Sequence, residues 1–140
     1  MKSRHTFAIL ALLAGCMLLG TSSLLAQNTG PKYDFANEVK IKGVVDDIKM
    51  VPGPFEGVHV MLKTSTETIL VHLAPEGFLK MVDFAVAKGD TLEVTGCKIT
   101  GEFGPEILAR EVVSGSNDMT LRDKKGAPAW AGMKFPSAGN

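Results

Sequence analysis

Two histidines, His59 and His72, are the residues best suited to chemistry in this chain. His59 sits in a run where Val58, Val60 and Leu62 alternate with His59, Met61 and Lys63. His72 sits in a second run, with Ile69, Val71 and Leu73 alternating with Leu70 and His72. A period of two marks a half-buried strand, and the short gap between the runs fits a hairpin. If both aliphatic sets face one core, an even position on the first strand must oppose an odd one on the second. A two-residue turn at Ser65-Thr66 then sets Val60 against Val71 and His59 against His72. Opposed side chains on neighbouring strands are close enough for two imidazoles to reach one ion. Neutral imidazole suits copper, zinc, nickel or iron, and Met61 on the same face could add a soft sulfur for copper. The competing reading is two strand histidines on a mixed surface, bonded to backbone or water. A pH-sensitive pair is a third, because adjacent imidazoles resist double protonation.

The elements that position this pair follow from the rest of the chain. Residues 1–26 read as a secretory leader: Lys2 and Arg4, then an apolar run over 7–19, then short side chains up to Ala26. The apolar stretch is broken by Gly15, Gly20 and three hydroxyl residues, which argues against a permanent anchor. Two processing routes compete. Cleavage after Ala26 leaves Gln27 first. Leu13-Ala14-Gly15-Cys16 resembles a lipobox, which would lipidate Cys16 as the new terminus and leave the greasy start Met17-Leu18-Leu19 behind it. The short apolar core ahead of Cys16 favours the first route. Residues 27–36 then form a polar arm, 37–123 the folded domain and 124–140 a tail.

Charge narrows the function. The full chain is balanced at 15 basic and 15 acidic side chains, and losing Lys2 and Arg4 tips it slightly negative. Lys124-Lys125 is the only adjacent basic pair. Phosphate neutralisation drives most nucleic-acid affinity, so this balance disfavours a nucleic-acid partner. With Cys16 in the leader, Cys97 is the only other cysteine, and its strand-like setting reads as a small core residue. There is no phosphate-binding glycine loop, nucleophile elbow, His-Glu-x-x-His or Cys-x-x-Cys. Asp46-Asp47 are adjacent on a strand and point to opposite faces, so they do not make a catalytic pair. No enzyme class is indicated.

The element pattern is mainly β. Val39, Ile41 and Val45 alternate in one phase, and Ile48 and Met50 in the other, which implies a bulge or bend. Val51-Pro52-Gly53-Pro54-Phe55-Glu56-Gly57 is a loop. After the histidine hairpin, Phe78, Leu79, Val82, Ala85 and Val86 fall at helical spacing and predict a short helix over 76–88, stopped by Gly89. Strands follow over 90–96 and 107–113, joined by a turn at Gly101-Glu102-Phe103-Gly104-Pro105, and 119–122 adds a short sixth. One short helix between the third and fourth strands of a five- to six-stranded β domain is the layout of an OB-like Greek-key barrel. Phe55 and Phe103 sit in the two loops that flank the binding face of such a barrel. Either aromatic could stack on a ligand or cap a barrel end, as could Trp130 from the tail.

The strings Val71-His72-Leu73-Ala74-Pro75, Lys88-Gly89-Asp90-Thr91-Leu92-Glu93-Val94-Thr95-Gly96 and Leu108-Ala109-Arg110-Glu111-Val112 resemble small exported bacterial OB-fold proteins. The ending Leu121-Arg122-Asp123, Gly126, Pro128 and Trp130 resembles the domain shared by the magnetosome-associated proteins MamS and MamX. The likeness covers about residues 37 to 131. It implies fold and compartment, a barrel in the cell envelope, more than activity; the reading as a module that binds a small ligand or protein partner rests on the barrel face and its loops, and the candidate transition metal on the histidine pair. MamX-type proteins carry Cys-x-x-Cys-His haem motifs; this chain has none, so covalent haem is not expected.

Overall fold

The computed structural model describes residues 31–52, 57–102 and 104–135. Its elements are β1 (Glu38–Val51), β2 (Gly57–Lys63), β3 (Thr68–Ala74), α1 (Glu76–Met81), β4 (Thr91–Gly101), β5 (Gly104–Ser114) and β6 (Asn117–Thr120). The sheet order is β3-β2-β1-β4-β5-β6, and a further pairing of β3 with β5 closes five strands into a barrel. β6 adds a short strand on β5. This is the OB-like architecture expected from the sequence.

β1 makes closure possible because it serves two partners. Its first half pairs with β4 and its second with β2. Between them the register slips, with Val45 opposite Leu62 and Asp47 opposite Met61, so Asp46 is the extra residue of a bulge. The bulge accounts for the phase flip in the aliphatic pattern and bends the strand around the barrel. The β2–β3 hairpin has the expected register: the Thr64 N–H donates to the Glu67 carbonyl at 2.8 Å, leaving Ser65-Thr66 as the two turn residues. Val60, Leu62, Ile69, Val71 and Leu73 all face the core, beside Leu92, Val94, Ile107, Val112 and Leu121. Each such aliphatic contributes about 1.5–3 kcal/mol by leaving water, which is why the register cannot slip by one.

Two boundaries differ from the sequence expectation. The helix stops at Met81, not near Lys88. Asp83 adopts a left-handed φ of 53°, and the Phe84 N–H donates to the Leu79 carbonyl at 2.9 Å, a Schellman-type ending. Phe84 thereby enters the core, while Ala85 stays exposed. The following residues serve β1: the Gly89 N–H donates to the Val45 carbonyl, and the Val45 N–H to the Asp90 carbonyl, both at 2.8 Å. A continued helix would have left that strand edge unsatisfied. The sixth strand lies at Asn117–Thr120, because Leu121 and Arg122 turn away and both donate to the Arg110 carbonyl.

The arm and the tail both dock on the barrel. Tyr33 packs with Cys97 and Leu108 on the outer face of the sheet, and the buried Cys97 sulfur accepts the Asp34 N–H at 3.3 Å. Cys97 is thus a packed core thiol. Arg110, which β5 inserts where its register with β4 slips, holds Glu38 with two parallel bonds of 2.9 Å, and Tyr33 Oη donates to the same carboxylate at 2.5 Å. Burial and the neighbouring carboxylate push the Tyr33 phenol well above its usual value. In the tail, the Arg122 guanidinium donates to the Ala109 carbonyl at 2.6 Å and lies 4.9 Å from the Trp130 ring. Burial pulls Arg122 down to about 10. Gly126, at φ 84°, lets the turn pass against Tyr33, where a Cβ would fall 2.2 Å from that residue's own Cβ.

Glu38 gives a test of this docking. Its bonds to Arg110 hold the carboxyl below its ordinary value of 4.5, so its contribution is present above that pH and is lost as pH falls. Glu38→Gln is expected to cost about 1.5–3 kcal/mol at neutral pH. In urea melts at stepped pH, the gap to wild type should narrow below the ordinary carboxylate range.

Candidate functional site

His59 and His72 face each other across the hairpin, and Val60 faces Val71. Their rings lie 4.0 Å apart, centre to centre, and are tilted by 46°. Because the aliphatic residues on either side point inward, both imidazoles point to the outside of the barrel. They are nevertheless buried, at 3% and 7% exposure. An outward face this well covered differs from the mixed surface that strand alternation alone suggests.

The third member comes from β5. Parallel pairing sets Leu70 beside Glu106 and His72 beside Leu108. Glu106 is itself buried, and its Oε2 lies 2.5 Å from His72 Nε2. Room for this carboxylate comes from Gly101: a Cβ there would fall 2.0 Å from the Glu106 carboxyl carbon. Glu106 pairs with Ile99, and Gly101 lies two residues further along β4 on the same face, so the glycine sits beside the Glu106 side chain.

These three residues line one cleft of about 280 Å³. Leu70 and Ile99 form apolar wall, Pro31 of the arm closes one side, and Val51, Gly101 and Glu102 mark the ends of β1 and β4. The cleft therefore lies on the outer face of β2, β3 and β5, next to the β1–β2 and β4–β5 connections. Oligonucleotides and oligosaccharides bind OB-folds on this face. The size is at the small end of ligand sites, and apolar walls with a few convergent polar groups are their usual chemistry.

The other residues named from sequence fall elsewhere. Met61 is half-buried on the same face as His59, two residues along, but does not line the cleft. Trp130 is half-buried and packs against Phe78 and Arg122, at 5.3 Å and 4.9 Å, as a cap on the barrel. Phe55 and Phe103 lie outside the described residues, as do the leader and Cys16. Glu106 is the residue sequence reading missed. It precedes the run assigned to a strand, and only the pairing of β3 with β5 brings it to His72. Among the described residues, no group of three or more His, Cys, Asp or Glu side chains is arranged to hold a metal ion.

A family model described as the MamS/MamX magnetosome protein family matches residues 37–119. The chain belongs to that family. The matched span holds His59, His72, Gly101 and Glu106, so the whole cleft except Pro31 falls inside the family domain. The Arg122–Trp130 clasp lies beyond it. No curated protein matches the chain. A chain of the S. pombe Stn1-Ten1 complex is similar, with 13% identity and a TM-score of 0.45, over 57% of this chain and 59% of that one.

Gly101→Ala isolates the dyad. The added methyl should displace the Glu106 carboxylate from His72 without disturbing the barrel. The expected result is a changed His72 ring signal in histidine NMR and a loss of about 1.5–3 kcal/mol, the usual worth of a charge-assisted bond. An unchanged ring signal would mean that the carboxylate stays in place.

Proposed function

We propose that this chain is an exported, non-enzymatic binding or accessory module of the bacterial cell envelope. Its ligand, a small molecule or a group on a protein partner, enters the cleft on the outer face of β2, β3 and β5. One observation carries this reading: two imidazoles and a carboxylate are buried together on a face where aliphatic residues would be cheaper to cover. Apolar walls, a carboxylate and two imidazoles suit a compact apolar body that carries a hydrogen-bond donor or a positive charge. The same carboxylate, with Glu102 at the rim, repels phosphate and argues against nucleic acid. The sequence motifs of catalysis are lacking, which supports the non-enzymatic reading. The leader-like residues 1–26 and the family's magnetosome association support the envelope setting. Among the described residues, no helix is long and apolar enough to cross a membrane.

Tryptamine, an aromatic amine, tests the cleft, with indole as the uncharged control. Tryptamine is expected to shift the methyl signals of Leu70 and Ile99 and the ring signals of His72, and to bind more tightly than indole. Filling the cleft with Leu70→Trp should abolish both effects; shifts confined to other residues would refute the assignment. The processing route is tested separately by intact mass of the protein recovered from the envelope. A mass beginning at Gln27 is expected, whereas a lipidated Cys16 would overturn it in favour of an anchored form.

A further inference from the structure

We propose that the cleft receives a lysine or arginine side chain from an extended segment of a partner protein, and that this segment adds as a strand to the free edge of β4 at Lys98–Gly101. This rests on the reading of the cleft as the ligand site and names the partner's chemistry. Glu106 supplies the recognition of charge. It is buried, and among the described residues His72, which faces Oε2, is its one hydrogen-bond partner. Oε1 is left to accept from a ligand. Glu102 also lines the cleft, and no lysine or arginine does. A buried cation needs a carboxylate partner to offset its lost hydration. The apolar walls of Leu70 and Ile99 suit the methylene stem beneath such a charge.

The edge of β4 says what carries that side chain. β5 pairs with β4 as far as Gly101, but β1 leaves it at Cys97, opposite Glu38. Ahead of Glu38 the chain makes the short 3₁₀ turn Phe35–Asn37, so no described strand pairs with Lys98–Gly101 on that side. This stretch of extended backbone spans about 13 Å. Its outward N–H and C=O groups are a template for an added strand. A second groove, of about 670 Å³, shares Pro31, Ile99 and Thr100 with the cleft and continues past Lys32, Asp34 and Lys98. Its two lysines are exposed and outnumber its carboxylate, the reverse of the cleft. Alternate side chains of a strand share a face, about 6–7 Å apart. The segment that fits therefore places a basic residue in the cleft and an acidic one two positions away in the groove. A free amine would use the cleft alone and leave the edge and the groove idle.

The full chain is titrated with the peptide acetyl-Val-Glu-Val-Lys-Val-Glu-Val-amide, whose symmetry serves either strand direction. Backbone amide signals of Lys98–Gly101 and methyl signals of Leu70 and Ile99 should shift together. Two control peptides need no protein variant, so they do not depend on any mutant folding. Norleucine in place of the lysine should weaken binding by about 10- to 100-fold, the worth of a charge-assisted hydrogen bond. N-methylation of the central three residues, which removes their main-chain donors, should weaken it by about 10-fold or more. Glu106→Gln, checked for folding by thermal melts, should remove the preference for lysine over norleucine. No shift at millimolar peptide, shifts away from the cleft and the β4 edge, or equal binding of the lysine and norleucine peptides overturns the proposal. Equal binding of the N-methylated peptide overturns the added strand. If the β4 edge signals move with protein concentration alone, a second copy of the chain takes the edge and the partner assignment falls. If the peptide fails while tryptamine still shifts Leu70 and Ile99, the cleft remains a ligand site and only the partner segment falls; if both fail, so does the functional reading.

Discussion

Leu70, Val71 and His72 run alongside Glu106, Ile107 and Leu108, and this short parallel contact turns a curled sheet into a barrel. Among the described strands it is the one pairing that is parallel and distant in sequence, and it has little length to spare. What holds it is the core beneath: Val71 and Ile107 are fully buried from the two sides of the seam. The same contact has a second consequence on the outside. Residues that are partners in register share a face, so closing the barrel necessarily carries Glu106 to the edge of the histidine pair. Architecture and site depend on one constraint.

The cover over that site is built from parts outside the strands. Tyr33 and Pro31 of the arm lie over the outer face, and the arm is tied down by the Tyr33–Glu38–Arg110 network. Arg110 can reach Glu38 because β5 bulges there, with Ala109 opposite Gly96 and Glu111 opposite Thr95. The bulge exposes the Arg110 carbonyl as well, which then accepts from Leu121 and Arg122 and starts the tail on its path to Trp130. A single irregularity in one strand thus anchors both terminal segments. Pro31 walls one side of the polar cluster, and low-dielectric surroundings strengthen the hydrogen bonds of such a cluster.

Much of this was legible in the residues because burial is a strong constraint at short range. The alternation of Val58, Val60 and Leu62 against Ile69, Val71 and Leu73 leaves one register that buries all of them, and that register places His59 opposite His72. The flip in phase between Val45 and Ile48 likewise announced a bulge. What stayed hidden depends on long-range geometry or on a local choice between equally good periods. Nothing near Glu106 signals that a strand 34 residues earlier will run beside it. The helical spacing of Val82, Ala85 and Val86 was sound, but the β1 edge at Val45 needed partners, and the chain left the helix to supply them. Arg122 and Trp130 were visible as a motif whose physical role, a buried cation under an indole, needed the fold to be read.

The polar cluster also constrains what the cleft can tolerate. Glu106, His72 and His59 form a chain, with the Glu106 carboxylate 2.5 Å from His72 Nε2 and the His72 ring 4.0 Å from that of His59. A purely structural polar cluster has no need of an opening to solvent, and a better-packed apolar trio would hold the seam at least as well. The cleft at this point in the barrel is the feature that a structural role leaves unexplained and a binding role requires.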